Sequence, residues 1–324
     1  MEINKKDSVK QSDVVLISMP FGSLLIPSIA LGLLKASLKP LGITTKTLYF
    51  TLRFAERIGY FRYSRITEGL TLNYDLIGEW LFAEALFGPG QLDAEGYIEN
   101  ILRNPSSAYD VLTVHKREVL PEEAIQVLLE IRSQVSSFLD DCLTEVLRYQ
   151  PKIVGFTSVF QQQIPSLALA KRIKQQAPDT FIIFGGANCE GIMGAEVIKQ
   201  FPFVDTVVSG EGDVVFPKIV RRVLENQPIF ELPGVYTRRE NTLKVNGRYP
   251  NTSLVQNLDA LPIPDYDDYF EQWQIAEFNK EIPPFVPFET SRGCWWGEKT
   301  PLYLLRPQWR LDDVSQQVGL TRVG

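Results

Sequence analysis

An alternating order of apolar strands and helices is the feature that most constrains how this chain can fold. Val14–Ser18 is a continuous apolar run, typical of a strand buried on both faces of a parallel sheet, and a helix with Pro27 in its first turn follows to Gly42. A second strand is predicted over residues 44–50. Because parallel strands need long crossover connections, this order predicts an α/β fold with a doubly wound, Rossmann-like parallel sheet.

The strand pattern is interrupted after residue 50 and resumes after Pro151. Residues 51–150 contain no convincing strand, so they are predicted to form a helical insert, which includes a long amphipathic helix over 121–149. Strands are predicted at 153–157, 181–184 and 204–208, which makes five in total. Asp213 is expected to cap the helix that follows the fifth strand.

The domain boundaries follow from this pattern. Residues 1–250 are expected to form the α/β domain with its insert, including a small hairpin over 233–249. Residues 251–285 are rich in proline and read as a linker, within which the acidic run 265–268 is expected to be solvated. A strand beginning at Val286 is expected to open a second domain, 286–324.

Ligands of doubly wound sheets bind at the carboxyl ends of the strands, where glycine lets the backbone approach a large cofactor. The fourth strand ends in a glycine pair and the fifth in a Gly-Glu-Gly loop, while no G-x-G-x-x-G dinucleotide motif follows the first strand. The candidate cofactor-binding residues at these strand ends are Met19, Pro20, Thr157, Ser158, Gln161, Gly185, Gly186, Gly210, Glu211 and Gly212.

A cysteine-bearing turn follows the strand predicted at Val286. It reads Ser291-Arg292-Gly293-Cys294 and continues with two tryptophans. The two glycine loops and this turn, taken together, resemble the cobalamin-dependent radical S-adenosylmethionine (SAM) enzymes that mature ribosomally made peptides. In that family the glycine loops flank the nucleotide tail of cobalamin, and the cysteine turn opens a loop whose three cysteines hold a 4Fe–4S cluster.

The resemblance implies several expectations about cofactors and partners. They are a cobalamin-binding domain followed by the first strand of a radical SAM barrel, a 4Fe–4S cluster, SAM, and a precursor peptide that is methylated on carbon. Cys294 is the one cluster-type cysteine in this sequence, and no cysteine follows it. We therefore expect the chain alone to be inactive, because Leu302 and Leu305 stand where the other thiolates would be expected.

One hypothesis for the missing cysteines is a frameshift near Lys299, because the family's His-His-Cys-Thr and Gly-Leu-Asn-Gly codons, read one base out of frame, give Thr-Pro-Leu-Tyr and Arg-Pro-Gln-Trp. Other readings stay open. The chain could be the front half of a split enzyme whose radical SAM half is encoded separately, or a stand-alone cobalamin carrier without catalysis. A divergent tail with Cys294 as an ordinary thiol, and an α/β domain that binds another nucleotide, also remain.

Composition limits the remaining functions. A net charge of −6 argues against a nucleic-acid partner. Three distant cysteines, at 142, 189 and 294, suggest no disulfide framework and hence a cytoplasmic location; Cys142 is expected in the core and Cys189 as a packed residue. The uncharged run 14–34 is interrupted by prolines, so no membrane span is expected. The single histidine, His115, lies outside any cobalt-binding motif and is expected to face solvent.

Overall fold

The computed structural model describes residues 11–68, 75–103, 120–238, 250–252, 254–280 and 283–292. Within them lies one six-stranded sheet. Its strands are β1 Val14–Ser18, β2 Thr45–Tyr49, β3 Ile153–Thr157, β4 Phe181–Gly185, β5 Thr206–Val208 and β6 Val235–Tyr236. The α-helices of these residues are α1 Ile29–Leu38, α2 Phe50–Ile58, α3 Tyr60–Glu68, α4 Ile77–Phe87, α5 Ala94–Tyr97, α6 Glu122–Leu147, α7 Gln163–Gln176, α8 Ile192–Gln200, α9 Phe216–Leu224 and α10 Asp267–Ile275.

The strands lie in the order β2-β1-β3-β4-β5-β6, and the first five are mutually parallel. All five predicted strands are therefore confirmed. The sixth strand was not expected: Val235 and Tyr236 pair antiparallel with β5 and extend the sheet. The structure describes the predicted 233–249 hairpin only as far as residue 238, and within that part Val235 and Tyr236 pair with the sheet. Residues 239–249 lie outside the description.

Alternate residues of each strand face opposite layers of helices, as a doubly wound sheet requires. Leu16 and Ile183 pack in one cluster with residues of α1 and α9. Ile17 and Phe184 pack in a larger cluster on the other face, with residues of α4, α6 and α7. The strand order reverses between the neighbouring strands β1 and β3, because β2 lies on one side of β1 and β3 on the other.

The predicted helical insert is confirmed as helical where it is described. Its helices build the larger of the two clusters, in which the rings of Phe54 and Phe138 lie with their centroids 4.6 Å apart and Phe82 lies 5.3 Å from Phe54. Cys142 of α6 is buried in this cluster, as predicted. The same cluster contains the strand residues Ile17 and Phe184, so it packs the insert against the sheet rather than leaving it as a separate lobe.

Helix α10 covers the open edge of β2 with side chains that take the place of a neighbouring strand. The Thr47 N–H donates to the Asp268 carboxylate (2.7 Å) and the Tyr49 N–H donates to the side-chain oxygen of Gln272 (2.9 Å). The Gln272 amide nitrogen in turn donates to the Thr47 carbonyl (2.9 Å). An unpaired strand edge invites association with other chains, so this contact also protects the sheet.

The acidic run 265–268 is therefore not a solvated linker, and that expectation was wrong. Asp268 is buried and pairs with Lys35 (2.8 Å) and Lys46 (2.6 Å), while Asp265 pairs with Lys35 (2.9 Å). Burial alone would lower the pKa of Lys46, but the hydrogen bonds to Asp268 and Glu271 outweigh it and raise that pKa. The lysines come from α1 and β2, which explains why spacing along the sequence did not reveal these pairs.

Residues 283–292 form neither a helix nor a strand, so the strand expected at Val286 is not formed there. A strand needs a neighbouring strand for its peptide groups, and none lies beside this segment within the described residues. The tail that contains Cys294 lies outside the described residues. In the part of the chain that the structure describes, no helix combines the length and apolarity needed to cross a bilayer.

The contact between α10 and β2 generates a stability prediction. Asp268→Ala leaves two partly buried lysines without their shared carboxylate and should lower the free energy of unfolding by about 3 kcal/mol. Gln272→Ala leaves a strand N–H unpaired and should cost about 1 kcal/mol. Urea unfolding measures both variants, with Glu271→Ala as the control, because the Glu271 side chain is 67% exposed. Urea unfolding of Asp268→Ala at the same midpoint concentration as Glu271→Ala would contradict this account.

Candidate functional site

A cleft of about 370 Å³ opens between the carboxyl ends of the central strands and the layer of α1 and α9. Its walls are mostly apolar. They are formed by Leu16, Ile29, Ala30, Leu31, Leu33, Leu34, Gly155, Phe156, Ile183, Phe184, Val208 and Phe216, together with polar and glycine residues of the strand-end loops. This is the edge of the sheet at which ligands of doubly wound folds bind.

The cleft exists because the central strands carry little side-chain bulk where they face α1. Gly155 lies in the middle of β3, Thr157 ends that strand, and Gly185 ends β4 beside Thr157. A Cβ atom built on Gly155 would lie 2.9 Å from the Leu16 side chain, so the neighbour already fills that space. A Cβ on Gly185 would meet nothing nearer than 3.9 Å. The open space therefore lies above Gly185.

Two glycines shape the rim of the cleft by adopting left-handed backbone conformations. Gly186 has φ +99°, and a Cβ there would lie 2.5 Å from the Ser158 carbonyl oxygen. Gly210 has φ +93°, and a Cβ there would lie 2.9 Å from the Thr252 hydroxyl. Any other residue would push the loops apart, so both positions need glycine.

Four charged side chains meet at the mouth of the cleft. Arg292 pairs with Asp213 (2.8 Å), Glu289 (2.9 Å) and Glu211 (3.3 Å). The hydrogen bond to Glu289, followed by the contacts with Asp213 and Glu211, raises the pKa of Arg292, so the guanidinium stays charged. We call these four residues the mouth cluster.

The role predicted for Asp213 was wrong. Helix α9 begins at Phe216, and its N-terminus has no side-chain cap. The Asp213 carboxylate instead accepts hydrogen bonds from Arg292, a residue 79 positions away in the sequence. Local capping patterns cannot reveal such a distant partner.

Six of the ten candidate cofactor-binding residues line the cleft. They are Thr157, Gly185, Gly186, Gly210, Glu211 and Gly212. They come from three strand ends, and the structure brings them together around one space. Their proximity is what the parallel order of β3, β4 and β5 predicts.

The other four candidates lie beneath the loops rather than in the cleft. Met19, Pro20, Ser158 and Gln161 are all buried. The Ser158 hydroxyl donates to the Gln163 side chain, and the Gln161 side-chain oxygen accepts from the Gly78 N–H (2.6 Å). The first contact ties the loop after β3 to the start of α7 and the second ties it to the insert, so Ser158 and Gln161 hold the loop in place.

Glu79 of α4 caps the N-terminus of α7, directly after that loop. Its two carboxylate oxygens accept the N–H groups of Gln163 (3.0 Å) and Ile164 (2.7 Å). Burial raises the pKa of Glu79 to about 7, against the opposing effect of these hydrogen bonds. Sequence reasoning missed Glu79, because its partner helix lies more than eighty residues further along the chain.

Sequence reasoning also missed a set of exposed apolar residues on the loops and the start of α8 at the carboxyl edge of the sheet. Each is between 43% and 51% exposed, and they are Ile26, Val159, Phe160, Ile192, Met193 and Val214. They follow β1, β3, β4 and β5 in the sequence. Apolar residues in the segments between a strand end and the next helix turn were the available signal, since such segments usually carry polar residues.

The thiol nearest in sequence to the glycine pair of β4 is that of Cys189. Cys189 is buried, as predicted, and burial raises its pKa to about 12, so its thiol is neutral. No group of His, Cys, Asp or Glu side chains among the described residues could hold a metal ion. The charged groups of the cleft are the members of the mouth cluster, which neutralise one another in part.

Comparison with known proteins identifies methyltransferases among the relatives of this chain, although no protein-family profile matches it. It is 27% identical over 152 residues to an uncharacterised methyltransferase of Pyrococcus horikoshii and 28% identical over 158 residues to the hopanoid C-3 methylase of Methylococcus capsulatus. These alignments cover 46% and 48% of this chain, and 31% and 28% of the relatives.

A third relative is the cobalamin-dependent radical SAM methyltransferase TokK of Streptomyces tokunonensis, 23% identical over 146 residues, which cover 45% of this chain and 21% of TokK. The chain thus spans less than a third of the length of these relatives in each alignment. Among solved structures, the radical SAM methyltransferase TsrM of Kitasatospora setae, with cobalamin and a [4Fe-4S] cluster bound, matches at 15% identity. Its TM-score is 0.38, with 82% of this chain and 38% of that chain covered.

The position of Glu79 generates a pH prediction. In the native state the Glu79 carboxyl keeps its proton up to about pH 7, whereas in the unfolded chain it releases the proton near its ordinary pKa of 4.5. The native state therefore binds more protons between these values, so the free energy of unfolding should fall as pH rises from 5 to 7. Glu79→Gln should make this part of the pH profile flatter.

Urea unfolding at several pH values measures the effect. The control is Glu123→Gln, which changes an exposed glutamate at the start of α6. A Glu79→Gln profile as steep as that of the control would show that Glu79 is already ionised in the native state.

Proposed function

We propose that this chain binds cobalamin, with the nucleotide tail in the cleft and the corrin ring over the carboxyl edge of the sheet. The observation that carries the proposal is the glycine-walled cleft above Gly185. Relatives that include a cobalamin-dependent radical SAM methyltransferase support it, and the proposal extends their cofactor to this chain.

The residues of the cleft suit the nucleotide tail of cobalamin. That tail ends in a flat apolar base, which gains from burial between apolar side chains such as Leu31, Ile183 and Phe216. The volume of about 370 Å³ lies within the range usual for small-molecule sites. The backbone of Gly185 and Gly186 can approach the tail closely, because no side chain intervenes.

The corrin ring needs a broad apolar surface next to the cleft. The exposed side chains at the carboxyl edge, such as Phe160 and Met193, supply it. Burying them under a ligand would remove apolar area from water. The sequence has one histidine, His115, which stands outside any cobalt-binding motif, and we propose that cobalt is bound without a histidine ligand.

Bound cobalamin would supply a transferable methyl group, and this chain's own residues would bind and orient it. We propose that the chain is the cobalamin-binding portion of a radical SAM enzyme that methylates carbon in a precursor peptide. One thiolate, Cys294, does not suffice for a 4Fe–4S cluster held by three. We therefore propose that the chain transfers no methyl group by itself and that a separately encoded radical SAM half is its partner.

A second candidate is a cobalamin carrier without catalysis. It is favoured by the composition of the cleft, in which the described charged groups are paired with one another and the nearby thiol of Cys189 is neutral. The two candidates share the cofactor and differ in the partner. Methyl transfer on addition of a radical SAM half would separate them.

Titration with hydroxocobalamin tests the shared proposal. The purified chain, after desalting, should retain the corrin at a ratio near one to one. Its absorbance spectrum should be that of the base-off form. A folded chain that retains no corrin would refute the cobalamin proposal and leave a nucleotide-binding α/β domain as the remaining interpretation.

Substitution at Gly185 generates a sharper prediction. Gly185→Ala should leave binding nearly unchanged, because its Cβ meets nothing nearer than 3.9 Å. Gly185→Leu should fill the cleft and weaken cobalamin binding by at least about tenfold, equivalent to about 1.4 kcal/mol. Both variants should unfold at similar urea concentrations, since Leu enters open space. If the two variants bound cobalamin with equal affinity, the nucleotide tail would have to bind outside this cleft.

A further inference from the structure

The segment 283–292 is a wall of the cleft that belongs to neither core cluster. Glu289 and Arg292 line the cleft, whereas its other lining residues come from strands, from α1 and α9, and from the loops between them. No residue of this segment is part of the two apolar clusters found among the described residues. A wall without buried apolar contacts opens at a lower free-energy cost than the rest of the fold. We call residues 283–292 the strap.

The strap is held at three points. At its start, the Phe285 N–H donates to the Leu25 carbonyl (2.8 Å), and near its middle the Pro287 carbonyl accepts from the Tyr266 hydroxyl (3.0 Å). At its end, Arg292 pairs across the mouth of the cleft. The strap's apolar side chains do not anchor it, because Phe285, Val286 and Phe288 are 60%, 60% and 80% exposed.

The contact at Arg292 is the strongest of the three. It joins a charged guanidinium to Glu211 and Asp213 on the loop after β5, while Glu289 of the strap itself holds the other side of the guanidinium. The Asp213 side chain is 11% exposed and that of Arg292 22% exposed, so water screens this pair only in part. The other two contacts are hydrogen bonds between neutral groups, which contribute less.

We propose that Arg292 is a latch that controls how fast a ligand enters and leaves the cleft. In the closed state, Arg292 ties the strap to the glycine loop that forms the opposite rim. A ligand can leave past the strap once Arg292 parts from Glu211 and Asp213. This inference rests on the proposed cobalamin site, and it adds the residue that sets how long the cofactor stays bound.

Charge relocation tests the latch. Arg292→Asp removes the cation and places four carboxylates at the mouth, so the strap should open. Adding Asp213→Arg returns one cation and three carboxylates to the cluster, with the cation on the opposite rim. Lys218→Asp is the matched control, because it makes the same change in net charge at an exposed position of α9.

Two measurements on these four proteins distinguish failure of the latch from failure of the cobalamin site. The first is backbone amide exchange of residues 283–292 in the chain without ligand. Exchange should be about tenfold faster in Arg292→Asp than in the unchanged chain, and the double variant should restore it. Equal exchange in all four proteins would overturn the latch, whatever the ligand is.

The second measurement is the dissociation rate of hydroxocobalamin in a chase experiment. The rate should rise about tenfold in Arg292→Asp, return towards the original value in the double variant, and stay unchanged in Lys218→Asp. A complete loss of retention in Arg292→Asp that the double variant restores gives the same support. Unchanged release in Arg292→Asp, or a loss that the double variant does not restore, would overturn the proposal. If the unchanged chain binds no corrin, the cobalamin site fails and the exchange measurement alone decides the latch.

Discussion

The cleft depends on a local shortage of side-chain bulk in the middle of an otherwise fully packed sheet. Elsewhere the strands present residues such as Val14 and Ile153 to the layer of α1 and α9, and these residues fill the space. At the carboxyl ends of β3 and β4, Thr157 and Gly185 leave it open. Protein interiors are normally packed to a high density, so an open space in this position indicates a place for a ligand.

The chain after residue 250 fastens both sides of the sheet and then reaches the cleft. Near β5, the Thr252 N–H donates to the Ser209 carbonyl (2.8 Å), and the Thr252 hydroxyl donates to the Glu211 carbonyl (2.6 Å). At the opposite edge, α10 completes the hydrogen bonding of β2 through Asp268 and Gln272. The strap follows, and Arg292 returns to the loop after β5. Where it is described, the segment predicted as a linker therefore makes hydrogen bonds at both edges of the sheet.

The sequence predicted the parts of this structure that follow from local patterns. Five strands, the helical insert, the burial of Cys142 and the gathering of three strand-end loops all rest on apolar runs, helical periodicity or glycine positions. These signals lie within a few residues of one another, so they can be read without the fold. Six of ten candidate residues line the cleft for the same reason, because parallel strands bring their carboxyl ends to one edge.

What the sequence did not predict depends on contacts between distant residues. Asp213 looked like a helix cap, but its partner is Arg292. Asp268 looked solvated, but it meets Lys35 and Lys46 from elements more than two hundred residues earlier. Val235–Tyr236 joins the sheet because β5 offers a free edge. In each case the decisive partner is chosen by the tertiary fold.

Mapping the ligand onto the backbone tests the central claim most directly. Amide exchange of the chain with and without hydroxocobalamin should show protection in residues 185–191 and 209–215, which form the loops after β4 and β5. The helices α2 and α3 should exchange equally in both states. Protection confined to other parts of the chain, or none despite retained corrin, would contradict a cofactor site in the glycine-walled cleft.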